Sequence, residues 1–225
     1  MPDTEHRPIS SFSTPLQSIH LPELPAEGRL IDIGGGGEGL VSRIGEARVC
    51  AVEINMNKIR EAQIHGSGPQ WILCDGRTLC FQNEAFDTAT MWFSLDYMTD
   101  WKTKQAVLLE VHRTLKPAGT ISIVSSRITC IEDRFVLNLV YFLPDGTVGK
   151  TGYGVRGNQG QTAERTSKLL RNLGFRLTKT EDNEYWFHIE AVKERSPHIA
   201  GRALQKVKVG TQSRSAATHG PGRGK

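Results

Sequence analysis

The chain has no apolar run near the ~20 residues that cross a bilayer as a helix, so no membrane span is expected. Its start, MPDTEHRPISSFSTP, lacks a basic stretch followed by an apolar one, which argues against a secretory signal. Only four cysteines occur (Cys50, Cys74, Cys80 and Cys130). None is in CxxC or Cys/His spacing, so neither a metal site nor a disulfide framework is expected. A cytoplasmic protein with reduced thiols is expected. Aromatic residues are sparse at 7%, and charged residues make up 23% of the 225, the composition of a soluble domain.

Excess charge of one sign is also missing from most of the chain. From Lys193 onward there are eight Lys/Arg and one Glu, a net +7, whereas residues 1–192 hold 20 basic and 23 acidic side chains, a net −3. That weakens any reading of the body as a basic nucleic-acid-binding module. Any such contact falls to the tail, 194–225, which is rich in Gly, Ser and Lys/Arg and is expected to be disordered.

What is present is glycine in one place. Arg29-Leu-Ile-Asp-Ile-Gly-Gly-Gly-Gly-Glu-Gly39 takes an apolar run into an acid and then into glycines. That order describes a buried strand ending in a tight turn where backbone comes close to a ligand, with a helix starting at Glu38 or Gly39. Strand and helix signals alternate from there. Strands are expected at 30–33, 49–52, 71–74, 88–93 and 121–124. Helices are expected at 39–44, 56–63 and 102–115, the last stopped by Pro117. Short apolar strands alternating with helices imply a doubly wound, mostly parallel α/β sheet. Glu53, Asp75 and 94–96 all fall at strand carboxyl ends, where such sheets bind ligands.

The pattern changes after Ser125. An apolar run, 135–142, the turn Pro144-Asp145-Gly146 and a returning segment to 155 read as an inserted hairpin. A helix at 162–173 ends at Gly174, and strands at 175–178 and 185–192 close the sheet, making seven with an antiparallel last strand. Residues 1–28, with five prolines, read as an arm packed on the domain at 29–193.

Gly34, Gly36 and Gly39 also fit the GxGxxG spacing of nicotinamide enzymes, which by itself is a weak signal. Asp32 beside a pyrophosphate is electrostatically poor, the chain has no room for a separate substrate domain, and no Tyr-xxx-Lys pair occurs. An acid there suits a cofactor carrying an ammonium and a sulfonium.

The order Ile31-Asp-Ile-Gly-Gly-Gly36, Val52-Glu53, Cys74-Asp75, Phe86-Asp-Thr-Ala89 and Leu115-Lys-Pro-Ala-Gly119 resembles the class I S-adenosylmethionine-dependent methyltransferases. Within that family it resembles the small-molecule branch that includes the ubiquinone/menaquinone methyltransferases, over about 29–192. The resemblance implies a Rossmann-like fold, S-adenosylmethionine as cofactor and a small-molecule acceptor. It implies that Asp32, Gly34 and Gly36 hold the methionine part and that Glu53, with Ile54, clasps the ribose hydroxyls. It also implies that Asp75 and Gly76 meet the adenine and that Ser94 lies beside the transferring methyl. The sequence departs from the family at Glu38, inside the usual Gly-x-Gly-x-Gly, and at Ala118, where a second glycine is usual.

On the acceptor side Asp96, Tyr97, Tyr153 and His188 are candidates for a base, which is needed only if the acceptor atom carries a proton. Alternatives are an RNA or protein acceptor docked by the tail, a non-catalytic cofactor-binding partner subunit, and an oxidoreductase. The methylated atom and the oligomeric state are not legible.

Overall fold

The computed structural model describes residues 9–65 and 68–194. The basic tail read from the sequence lies outside the described residues from 195 onward, as do residues 1–8 of the arm.

In chain order the elements begin with β1 (Ser11–Ser13) and β2 (Gln17–His20), followed by β3 (Leu30–Ile33) and α1 (Leu40–Gly45). Next come β4 (Val49–Glu53), α2 (Met56–Gln63), β5 (Gln70–Leu73), β6 (Phe86–Trp92) and α3 (Trp101–Thr114). Then follow β7 (Leu115–Ser126), β8 (Arg134–Phe142), β9 (Val148–Arg156), α4 (Ala163–Asn172), β10 (Phe175–Asp182) and β11 (Trp186–Lys193). Seven strands form one sheet in the order β10-β11-β7-β6-β3-β4-β5. β3, β4, β5, β6 and β7 run parallel, and β11 is antiparallel to both β7 and β10. The chain leaves β3 for β4 on one side and later returns to β6 on the other. That reversal opens a crevice at the carboxyl ends of these strands.

The two faces of this sheet are covered differently. Ile31, Ile33 and Met91 pack with Val107, Leu108 and Val111 of α3 and Leu170 of α4. The opposite face, with Leu30 and Val124, meets α1 and a second sheet through Phe135, Leu137 and Leu139. That second sheet is the hairpin β8–β9, in antiparallel register from Arg134↔Arg156 to Phe142↔Val148. β8 alternates inward Phe135, Leu137, Leu139 and Tyr141 with outward residues, the period of a strand with one face on a core.

The arm is more ordered than its proline content implied. β1 and β2 both run parallel along the other edge of β8, paired Ser11↔Arg134 and Gln17↔Leu139. Pro15, which has no N–H to give to a ladder, lies in the gap between them.

β7 also departs from expectation. It begins at Leu115, six residues before the expected 121, and Pro117-Ala118-Gly119 forms an irregularity within it. Ala118 is exposed there with φ +64°, a left-handed conformation that costs an L-residue about 1 kcal/mol and glycine almost nothing. Ala118→Gly is therefore expected to stabilise the protein by about 1 kcal/mol, raising the melting temperature by about 2–4 °C. A thermal melt that is unchanged or lowered overturns that account.

Candidate functional site

A cavity of about 710 Å³ opens at the carboxyl ends of β3, β4, β5 and β6. Asp32, Gly34, Gly36, Glu53, Ile54, Asp75, Gly76 and Ser94, the eight residues expected at the cofactor, all line it.

The loop after β3 is built around close approaches. Gly34 has φ +73° and donates its N–H to Val52 O at 2.7 Å, and a Cβ there would lie 2.5 Å from Ser94 Cβ. A Cβ on Gly36 would lie 2.7 Å from both Glu53 Oε2 and Lys58 Cβ. At these two positions the loop has no room for a side chain. α1 starts at Leu40, just past the expected position, and is only six residues long, with Gly39 as its left-handed N-cap.

Three carboxylates are held in three different ways. Asp32 is buried and accepts a 2.6 Å hydrogen bond from Thr90 Oγ1. Burial, opposed by that hydrogen bond and reinforced by the Glu53 charge, pushes its pKa up to about 7. Glu53 is pinned by backbone amides from two segments: Oε1 accepts from Ile54 N (2.9 Å) and Asn55 N (3.0 Å), Oε2 from Gly36 N (3.2 Å). Asp75 is gripped by Arg77, whose guanidinium approaches to between 2.6 and 3.1 Å, and these hydrogen bonds hold its carboxyl below the usual range.

Residues 31–123 match the family model described as a methyltransferase domain. Two curated relatives, both named ubiquinone/menaquinone biosynthesis C-methyltransferase UbiE, match over about 100 residues. The protein from Desulfotalea psychrophila is 29% identical over 101 residues, 42% of this chain and 40% of that one. The protein from Paraburkholderia phymatum is 31% identical over 105 residues, 43% of this chain and 42% of that one. A solved structure from Methanosarcina mazei, described as a SAM-dependent methyltransferase, shares the fold. Its TM-score is 0.58 at 21% identity, over 77% of this chain and 95% of that one.

Together these comparisons support a class I S-adenosylmethionine-dependent methyltransferase domain, matched over residues 31–123. The family's cofactor is S-adenosylmethionine. The matched segment spans only about two fifths of the curated relatives' length. The methyltransferase match ends at residue 123, before the hairpin β8–β9.

The four acceptor-side candidates separate. Tyr97 and Tyr153 line the cavity, and Tyr153 stacks on Phe93 with ring centroids 4.7 Å apart. Burial drives the Tyr153 phenol far above its ordinary pKa. His188 and Asp96 do not line the cavity. His188 faces Ser122 Oγ at 3.2 Å and Glu190 at 3.4 Å within the sheet, where burial lowers its pKa. Asp96 is fully buried, accepting from Ser125 Oγ (2.5 Å), Ser126 Oγ (2.5 Å), Ser126 N (3.0 Å) and Gln161 Nε2 (2.7 Å).

Several cavity features were missed in the sequence. Phe93 has φ +62°, a strained value for a bulky residue, and it turns the chain so that Ser94 and Tyr97 reach the cavity. Glu38, the departure in the glycine loop, accepts from Arg43 (3.2 Å) and from Tyr141 OH (3.1 Å), tying the loop to β8. Cys74 is half-buried on the cavity wall. Only the Asp75-Gly76-Arg77 turn carried a local signal, a carboxylate two residues before a guanidinium.

Proposed function

We propose that this protein transfers a methyl group from S-adenosylmethionine to a small-molecule acceptor held under the β8–β9 hairpin. The observation that carries the reading is the set of three carboxylates, Asp32, Glu53 and Asp75, around one cavity beside a glycine-rich loop. The UbiE relatives, named for quinone biosynthesis, support the small acceptor.

The residues fit the cofactor. Ser94 Oγ is buried with no partner among the described residues, a donor awaiting an acceptor. Side chains at Gly34 and Gly36 would collide with Ser94, Glu53 and Lys58, so glycine there keeps the loop backbone close against the residues of the cavity wall. In this reading Asp32, Gly34 and Gly36 hold the amino-acid end, Glu53 and Ile54 the ribose, Asp75 and Gly76 the adenine, and Ser94 lies beside the methyl. When bound, S-adenosylmethionine supplies a methyl carbon on a sulfonium, which an acceptor lone pair takes as the C–S bond breaks toward sulfur. The chain's task is then alignment and exclusion of water. Trp92, Phe93 and Tyr153 supply an aromatic wall that tolerates a cation. With its phenol so far raised, Tyr153 donates a hydrogen bond at neutral pH and does not act as a base.

Titration calorimetry with S-adenosylhomocysteine, NADH alongside, tests the reading. Asp32 adds a pH signature with a definite sign. The unfolded carboxyl ionises near 3.8 and the folded one near 7, so native stability falls as pH rises through that window. An ammonium favours the ionised form, so binding is expected to tighten about tenfold between pH 6 and 8 with proton release. Asp32→Asn is expected to flatten the profile. Binding of NADH alone overturns the cofactor assignment, and a flat profile in the unaltered protein overturns Asp32 as the ammonium's partner.

A further inference from the structure

A second cavity, about 360 Å³, lies at the open end of the hairpin, away from its turn, and meets the first one at Tyr97 and Thr99, which line both. Its opposite wall carries Arg134 and Arg156, both exposed and directly opposite each other in the β8–β9 register. Like charges at directly opposed strand positions destabilise a sheet. Neither guanidinium has an ion pair or hydrogen bond among the described residues that would offset this. The Arg134 guanidinium lies over Gly154, where a Cβ would come within 2.6 Å of its terminal nitrogen. The one acid in this cavity, Asp133, directs Oδ2 to Ser10 of the arm, accepting from its N–H (3.1 Å) and its hydroxyl (2.9 Å).

Two guanidinium-bearing side chains on facing strand positions, both lining one cavity, can supply donors to an oxyanion. We propose that Arg134 and Arg156 form an oxyanion subsite for the acceptor, which is a small acid bearing a carboxylate or phosphate. This rests on the reading above and deepens it. The acceptor's reactive atom lies near Ser94 in the first cavity, and its acidic end reaches past Tyr97 and Thr99 to the arginine pair. The hairpin that carries the pair lies beyond the matched methyltransferase segment, as a specificity element can.

The test uses the full chain at fixed, low ionic strength, with inorganic phosphate and malonate as separate probes. Melting temperature and calorimetry are read for the unaltered protein, Arg134→Gln and Arg156→Gln. At least one probe is expected to bind saturably, and which one does identifies the oxyanion. Each variant is expected to weaken that binding about tenfold. Each is also expected to melt higher than the unaltered protein without anion, because the repulsion is relieved. A purely structural role for either arginine predicts the opposite sign. Anion affinity unchanged in both variants overturns the subsite. Tight, steeply salt-dependent binding of single-stranded RNA that both variants lose overturns the small acceptor. S-adenosylhomocysteine is titrated into the same samples. Its failure to bind the unaltered protein counts against the methyltransferase reading alone, and its retention in both variants shows that any lost anion binding is local.

Discussion

Glu53→Ala is expected to weaken S-adenosylhomocysteine binding by about 100-fold while lowering the melting temperature by only a few degrees. The carboxylate is held before any ligand arrives, by three backbone amides from the glycine loop and the start of α2. A preorganised acceptor spends little conformational entropy on capturing a diol. Each hydrogen bond from a ribose hydroxyl to a charged acceptor contributes about 1.5–3 kcal/mol, so two of them account for the expected factor. The amides released by the substitution lie at a partly exposed position and can turn to water, so the fold is little affected. Calorimetry of the variant decides the matter. An affinity within threefold of the unaltered protein removes Glu53 from the ribose.

The difference between what the sequence disclosed and what it hid is one of distance along the chain. The glycine loop and the acids ending β4 and β5 were legible because strand, acid and turn are contiguous, and a parallel sheet brings strand ends together whatever else the chain does. The hairpin was legible because Pro144-Asp145-Gly146 lies between two complementary runs. The strands of the arm were not, because their hydrogen bonds go to β8, over a hundred residues away, and Pro15 masks them. His188 was drawn toward chemistry by its type alone, although the alternation of β11 turns it to Ser122. Asp96 stood beside it among the candidate bases. Its partners Ser125, Ser126 and Gln161 are 29 to 65 residues further along the chain, and no local pattern announces them.

Those partners make Asp96→Ala the substitution with the largest expected cost to stability, about 3–5 kcal/mol, or about 10 °C in melting temperature. Gln161 donates from Nε2 to Asp96 and accepts at Oε1 from Lys104, while Lys104 also donates to Gln159 at 2.8 Å. Asp96 and Lys104 are both fully buried, so a carboxylate and an ammonium face each other through one side-chain amide, away from water. Burial lowers the Lys104 pKa to about 8 and the Asp96 charge partly restores it, so removing the acid leaves a cation without its counter-charge. Lys104→Met in the Asp96→Ala background is expected to recover part of the loss, because a missing pair costs less than half of one. The lysine also sets a pH signature. The native side chain sheds its proton near 8 and the unfolded one near 10.5, so its contribution makes stability rise across that window. The double variant is expected to lack this rise. Asp96 closes the turn Ser94–Tyr97, so the same network positions the two cavity residues without touching a ligand. Thermal melts of the single and double variants from pH 7 to 10 decide it, and additive losses in the double variant overturn the pairing.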